Sequence, residues 1–526
     1  MTSGPDQFPR AHDFPYGFST AQKALGGEST QASSANFPEP RRVAIIGAGP
    51  NGLTAAAILA QAGCRVEIFE AADDIGGSAR THAVFGPGSA VDFGAAAHPF
   101  GVVSPAFRQL GLENYGLEWK HPDYPMAHPL VDAPAAILHR DLATTAAQFS
   151  AHDRRMWHHL HAPLANDVDK LITSVLPVKM RHPLALARLG VRGAWSARAL
   201  SSRLLADESA RALLVGSSLH AIRPPSQPGT AAFGLLFNTL GMTSGWPVVA
   251  GGTGQLCQAL ARVIKQHGGQ IHTGNTISDL SVFANFHAVI STQTPRQLLA
   301  WKGLRLFTMR VRGLRRWKYG TAVHKIDYLL DGPVRWDDPR VAGAGTVHVG
   351  GLVEEMHRAE KQAAAGKLPS RPFVMVCQQQ AADDKRYVYS NGAGVGPERH
   401  ILWTYAHVPH GYQEKYPGEV AGAVEAQIER FAPGFSGQII ERKQTAPAEL
   451  EAANANLVGG DIAGGAMSLG QMLRQRHTVG ALTANPAAPV LLASGAVLPG
   501  AGVHGMAGWR AAQTLLRKFG GNQNAW

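Results

Sequence analysis

Residues 43–70 constrain the chain more than any other stretch. Val43-Ala44-Ile45-Ile46 is a short, mostly β-branched run that reads as a buried parallel strand. Gly47-Ala48-Gly49-Pro50-Asn51-Gly52 follows and fits G-x-G-x-x-G, and Leu53 to Ala62 is an Ala/Leu-rich helix closing at Gly63. Val66 to Phe69 reads as a second strand, ending at Glu70. Each part has a separate physical reason. Gly47 permits the sharp turn, Gly49 lets backbone approach a pyrophosphate, and Gly52 lets helix and strand pack closely. The helix N-terminus faces the anion. An acid at Glu70 stands near the spacing at which a carboxylate accepts hydrogen bonds from an adenosine ribose, and its charge disfavours a 2′-phosphate. Strand, turn, helix, strand and acid in one register predict a dinucleotide-binding βαβ unit. Its candidate binding residues are Gly47, Gly49, Pro50, Asn51, Gly52 and Glu70.

Val43 to Cys64 carries no charge and is about long enough to cross a bilayer. Its glycines, Pro50 and Asn51 argue instead for strand, turn and helix. With 526 residues the chain exceeds what one core usually serves, so two interleaved domains are expected. The net charge of +11 favours anionic company, yet no nucleic-acid motif is present, and nucleic acid is not an expected partner. The excess is local. Lys179 to Arg203 and Trp301 to Gly320 hold many basic residues and no acid, mixed with Leu, Val, Trp or Phe. These stretches suit contact with acidic lipid, and the plainer reading is two solvated basic helix faces.

Cys64, Cys257 and Cys377 lie far apart and form no C-x-x-C, so neither a zinc site nor a dithiol pair is encoded. A disulfide reductase, which needs such a pair and a second nucleotide fingerprint, is excluded. His158, His159 and His161 point in different directions on a helix, and no metal site is expected. Residues 1–40 have no apolar core and read as a mobile tail rather than a leader, and a reducing, cytoplasmic setting is expected.

After the second strand comes Ala71-Ala72-Asp73-Asp74-Ile75-Gly76-Gly77-Ser78-Ala79-Arg80-Thr81. This Gly-Gly-x-x-Arg segment resembles that of the flavoprotein superfamily of amine oxidases and phytoene desaturases. The resemblance implies FAD rather than NAD, with Gly76, Gly77 and Arg80 at the cofactor. Read without it, the segment is a surface turn with a solvated arginine. Near the C-terminus, Val490 to Ala493 is an apolar strand, followed by Gly495 and Pro499-Gly500-Ala501-Gly502-Val503-His504-Gly505-Met506-Ala507-Gly508 and a helix through Leu516. No acid follows at the ribose spacing, so this is no independent fingerprint. It resembles the C-terminal signature of bacterial-type phytoene desaturases and their relatives, including the pyridine nucleotide-disulfide oxidoreductase domain-containing protein 2 type. In that family the turn approaches the flavin, which implies cofactor roles for Gly495, Gly502, Val503, His504 and Gly505.

The implied fold is α/β: a Rossmann-like FAD-binding domain with a parallel sheet and an interleaved α+β substrate domain. Residues 41–104, 245–300 and 455–526 are assigned to the cofactor domain, and 105–244 and 301–454 to the substrate or cap domain. Residues 105–240 are expected to be mostly helical. Gly392 to Gly396 lacks a preceding strand and a following helix and is rejected as a second dinucleotide site.

Two side chains are catalytic candidates. Gly320-Thr321-Ala322-Val323-His324-Lys325 resembles the strand on which flavin amine oxidases carry a lysine beside flavin N5. By spacing alone, Lys325 is a strand lysine facing solvent or pairing with Asp327. His504 could face the isoalloxazine, cap a helix or sit satisfied in the core. The expected function is FAD-dependent, phytoene-desaturase-like dehydrogenation of a small apolar substrate, polyene or lipid-like. Oxygen, a quinone or a nicotinamide would accept the electrons. An oxidase of amines or amino acids, and a flavin-binding interaction protein without turnover, are the alternatives.

Overall fold

A computed structural model describes residues 39–386, 388–389, 398–475, 482 and 489–521. The sequence expectations for the tail at residues 1–38 and for Gly392 to Gly396 lie outside the described residues.

The strand Arg42–Ile46 is wholly apolar after its first residue and buried from Val43 to Ile46, which requires cover on both faces. It forms the centre of a five-stranded parallel sheet, ordered Val490–Leu492, Ala288–Ser291, Arg42–Ile46, Arg65–Phe69, Gln270–His272. Val43 pairs with Ala288 on one side and Val66 on the other. Three widely separated stretches of chain therefore close one sheet. The helix Pro50–Gln61 is buried from Gly52 to Ala60 because Gly254–Gln266 and Met506–Phe519 pack on it from outside. Gly508 sits directly over the Asn51 carbonyl, so a side chain there would collide with backbone.

The second sheet is mixed. Its order is Ile439–Thr445, Ala322–Leu330, Glu398–Val408, Val374–Cys377, Ala344–Val349, Tyr124–Leu130, Ala133–Leu138, with Val388–Tyr389 paired to Glu398–Val408. Residues 105–240 are mostly helical, as expected, and also hold two sheet strands that the sequence reading did not mark, Tyr124–Leu130 and Ala133–Leu138. Pro125, Pro129 and Pro134 hid them, since proline lacks the N–H a ladder uses. The sheet accommodates Pro129 by a register shift between His128 and Leu130, and Asp132 turns the hairpin at φ 57°. Ala344–Val349 carries too little bulk to stand out as a strand.

The remaining cap is helical: Ala151–Ala165, Val168–Val175, Pro183–Gly193, Ala197–Leu204, Glu208–Ser218 and Thr230–Thr243. A buried arginine ties two small strand pairs, Thr81–His82 with Val91–Asp92 and Trp119–Lys120 with Val248–Val249, to the connector that carries Asp383. Arg386 bonds Asp92 at 2.7 Å, Asp383 at 3.2 Å and the Val249 carbonyl at 2.8 Å. No helix among the described residues is long and apolar enough to cross a membrane.

Candidate active site

A cavity of about 670 Å³ runs from the first glycine turn, between the two sheets, to the cap helices. Its floor is built by the turn chemistry. Gly47 has φ 99°, and a Cβ there would strike the Thr292 hydroxyl, so only glycine fits. Gly49 caps the helix Pro50–Gln61 in an extended conformation, which turns the helix N-terminus onto the cavity. Gly52 lies beneath the Gly47 carbonyl, with no room for a methyl group.

The second glycine pair leans on the first. Gly76 N–H donates to the Ala48 carbonyl at 2.8 Å, and a Cβ on Gly77 would stand 3.3 Å from Gly49 Cα. Arg80 donates to the Gly77 carbonyl at 2.8 Å and the Ala453 carbonyl at 3.0 Å, with its guanidinium 5.2 Å from the Phe93 ring centroid. It therefore clamps the second turn to a distant segment while lining the cavity. Glu70 is held by backbone: Oε2 accepts the Ala48 N–H at 2.6 Å and Oε1 the Ala72 N–H at 3.0 Å. Each carboxylate oxygen has lone-pair capacity left for a sugar hydroxyl.

Gly47, Gly49, Pro50, Asn51, Glu70, Gly77, Arg80, Gly495, Gly502 and Val503 all line this cavity, as does Lys325. Gly52, Gly76 and Gly505 support the walls from behind. Gly505, at φ 67°, starts the helix Met506–Phe519 where a Cβ would press on Thr54.

His504 lies outside the cavity lining, contrary to a role facing the flavin. Its ring is 1% exposed, Nδ1 accepts the Met506 N–H at 3.1 Å, and Phe100 packs edge-on at 6.2 Å. Burial pushes the imidazole down to about 4, keeping it neutral. It is a turn-forming residue, and Gly502 and Val503 present backbone to the cavity in its place.

Lys325 is 3% exposed and forms an ion pair with Asp327, two residues along the strand. Solvent exposure is ruled out, and the pair coexists with a place in the cavity wall, 5.6 Å from the Trp403 ring centroid and in register with Tyr405. Burial raises the Asp327 carboxyl to about 6 against the opposing pull of Lys325. Asp461 accepts the Gly320 and Ala463 N–H groups at 2.7 Å each and so braces backbone.

Sequence reasoning missed the far end of the cavity. Phe100, Ile222, Phe233, Phe237, Trp246 and Met375 form an apolar wall that includes His220. The His220 ring lies 4.9 Å from Phe237 and 5.2 Å from Trp246, and its Nε2 meets His348 Nε2 at 3.2 Å. Burial, then repulsion from His407, pushes His220 down to about 3. These residues come from separate helices and strands, so no local pattern announces them.

The residues fit a flavin dinucleotide. The glycine cradle admits close backbone approach, Glu70 is preset, and the cavity-lining Asn51, Gln293 and Gln297 carry buried side-chain oxygens with no hydrogen-bond partner in the chain. Such acceptors call for donors from a bound polar group. Among the described residues no cluster of side chains suits a metal.

Comparisons with known proteins point the same way. The family model for flavin containing amine oxidoreductases matches residues 51–300. The mouse pyridine nucleotide-disulfide oxidoreductase domain-containing protein 2 is 24% identical over 553 aligned positions, covering 90% of this chain and 93% of that protein. A limonene dehydrogenase subunit of Castellaniella defragrans is 36% identical over 100 residues, 19% of this chain and 18% of its own length. Among solved structures, putrescine oxidase bound to putrescine superposes with a TM-score of 0.57 at 15% identity, covering 91% of this chain and 99% of that one. The chain thus shares the fold of these flavin amine oxidases, is similar in sequence to flavin containing amine oxidoreductases over residues 51–300, and is an FAD-dependent oxidoreductase.

Proposed function

We propose that the protein dehydrogenates an apolar, polyene or lipid-like substrate held against the aromatic end of the cavity. One observation carries this reading: among the described residues Glu70, at the ribose end, is the sole carboxylate in the cavity lining, and Arg80 and Lys325 are its sole arginine and lysine. An ammonium group would find no counter-charge at the aromatic end. A substrate carboxylate would find Arg80 engaged by two carbonyls and Lys325 by Asp327. Apolar walls reward apolar substrate instead, at about 25 cal/mol per Å² removed from water. The name of the partial relative, a limonene dehydrogenase, denotes a hydrocarbon substrate for that protein and agrees.

Bound FAD supplies a two-electron acceptor. The chain's own residues position and desolvate the substrate, His220 remains a neutral part of the wall, and the released proton leaves to water or to the electron acceptor. Oxygen, a quinone or a nicotinamide then removes the electrons.

A second reading, amine oxidation, is favoured by the Trp403 and Tyr405 rings, edge to face at 5.3 Å beside Lys325. The two are separated by mixing the yellow holoprotein anaerobically with lipophilic compounds and with amines while following flavin absorbance. Bleaching by lipophilic compounds alone is expected. Bleaching by amines alone overturns the apolar reading, and bleaching by neither points to a flavin-binding protein without turnover. Mass spectrometry of compounds retained on the purified protein identifies the substrate.

A further inference from the structure

We propose that the loop and helix spanning residues 177–195 form a docking surface for an anionic lipid bilayer. This stands whatever the substrate is, since it rests on the outside of the cap.

The helix Pro183–Gly193 is apolar on two faces. Ala185, Leu189 and Gly193 are buried, and Gly193 abuts Ala232 of Thr230–Thr243. The outer face carries Leu184 and Val191, 75% and 72% exposed, in line with Ala187 by helical spacing. Met180, before the helix, is 81% exposed, and Trp195, just after it, 44%. Large apolar side chains exposed together, rather than singly, mark an interaction site. Val178, at the tip of the preceding loop, is also exposed and holds φ 54°, a strained conformation for a β-branched residue. The chain thus bends against its own preference where Val178, Lys179 and Met180 stand outward.

Charge selects the occupant. Lys179 and Arg181 alternate with these apolar residues, and Arg510 and Arg517 of the C-terminal helix lie near enough to repel Lys179. Among the described residues none of the four pairs with a carboxylate, whereas Arg188, one turn inside the helix, is neutralised by Asp167. Interleaved basic and apolar side chains on an exposed helix face suit the headgroup and acyl boundary of an anionic membrane. A second copy of the chain would bring the same cations face to face. The placement is also apt, because Thr230–Thr243, directly beneath, carries Phe233 and Phe237 in the cavity wall.

The test is sedimentation of the full-length, FAD-loaded protein with phosphatidylcholine vesicles containing about a third phosphatidylglycerol, against pure phosphatidylcholine, at about 0.1 M salt. Binding about tenfold stronger to the anionic vesicles is expected. Lys179→Glu with Arg181→Glu, and separately Met180→Ser with Leu184→Ser, should each cut it about tenfold. All four positions are on the surface, so flavin absorbance and melting temperature should be unchanged, which separates lost docking from lost folding. Quenching of fluorescence by brominated acyl chains should fall in Trp195→Phe. Equal binding to both vesicle types, or unchanged binding by both double variants, overturns the proposal. So does a change of oligomeric state in those variants without a change in vesicle binding, which would assign the stripe to a second copy.

Discussion

Glu70→Gln separates two effects that one carboxylate combines. In the protein, its two oxygens accept the Ala48 and Ala72 N–H groups at 2.6 and 3.0 Å. Glutamine keeps one acceptor oxygen and turns an NH₂ toward the other N–H, donor against donor. That mismatch exists with or without cofactor, so it lowers folding stability by about 1–3 kcal/mol. Affinity falls for a different reason: the hydrogen bonds from the adenosine ribose lose their charged acceptor. Such a bond contributes about 1.5–3 kcal/mol, which converts to about 10- to 150-fold weaker FAD binding. FMN, which has no adenosine, is unaffected by this second loss. The assay is titration of deflavinated protein with FAD and with FMN, read by quenching of flavin fluorescence, alongside urea unfolding. Glu67→Gln is the control, since its carboxylate pairs with Arg42 on the same strand pair but outside the cavity lining. FAD affinity within about threefold of the parent in Glu70→Gln, or an equal loss for FMN, refutes the assignment of this acid to the ribose.

Gly52→Ala places a methyl group against the Gly47 carbonyl and should cost at least about 1–3 kcal/mol in urea unfolding, with loss of retained yellow colour. Lys325→Met leaves Asp327 buried, with Oδ1 already lacking a partner, and should destabilise by about 3–5 kcal/mol. Adding Asp327→Asn should recover most of that loss, and a double variant no more stable than the single one contradicts the pairing. His98, His128, His161 and His504 are buried and held neutral down to about pH 4, while the unfolded chain takes up protons near 6.5. Their contribution is intact above that pH and is lost as pH falls, by up to about 1.4 kcal/mol per unit for each ring. The urea midpoint should therefore drop steeply between pH 6.5 and 5, and a flat profile over that range argues against the buried neutral state.

Local chemistry explains what could be read in advance. Gly52 is forced by the carbonyl of Gly47, five residues away, Gly47 by its own positive φ, and the strand before them announces itself by an unbroken apolar run. The same logic failed where proline interrupts a strand, as at Pro129, because the sheet absorbs the break by shifting register rather than by ending. It failed again at His504. A polar residue in a glycine-rich turn looks like a ligand-facing group, but its ring is spent on the Met506 N–H. The aromatic end of the cavity left no local trace at all. Phe100, His220, Phe237 and Trp246 meet only through tertiary packing.

The central sheet has a bearing on how the chain is made. Ala288–Ser291 has the ladder from Arg42–Ile46 on one side, but its other neighbour, Val490–Leu492, emerges from the ribosome about two hundred residues later. Until then a bare, apolar parallel edge stands open on the nascent protein, a surface prone to wrong pairing. Synthesis that stalls or terminates within that interval should yield a product that needs chaperones and holds no pigment, however well its cap has folded.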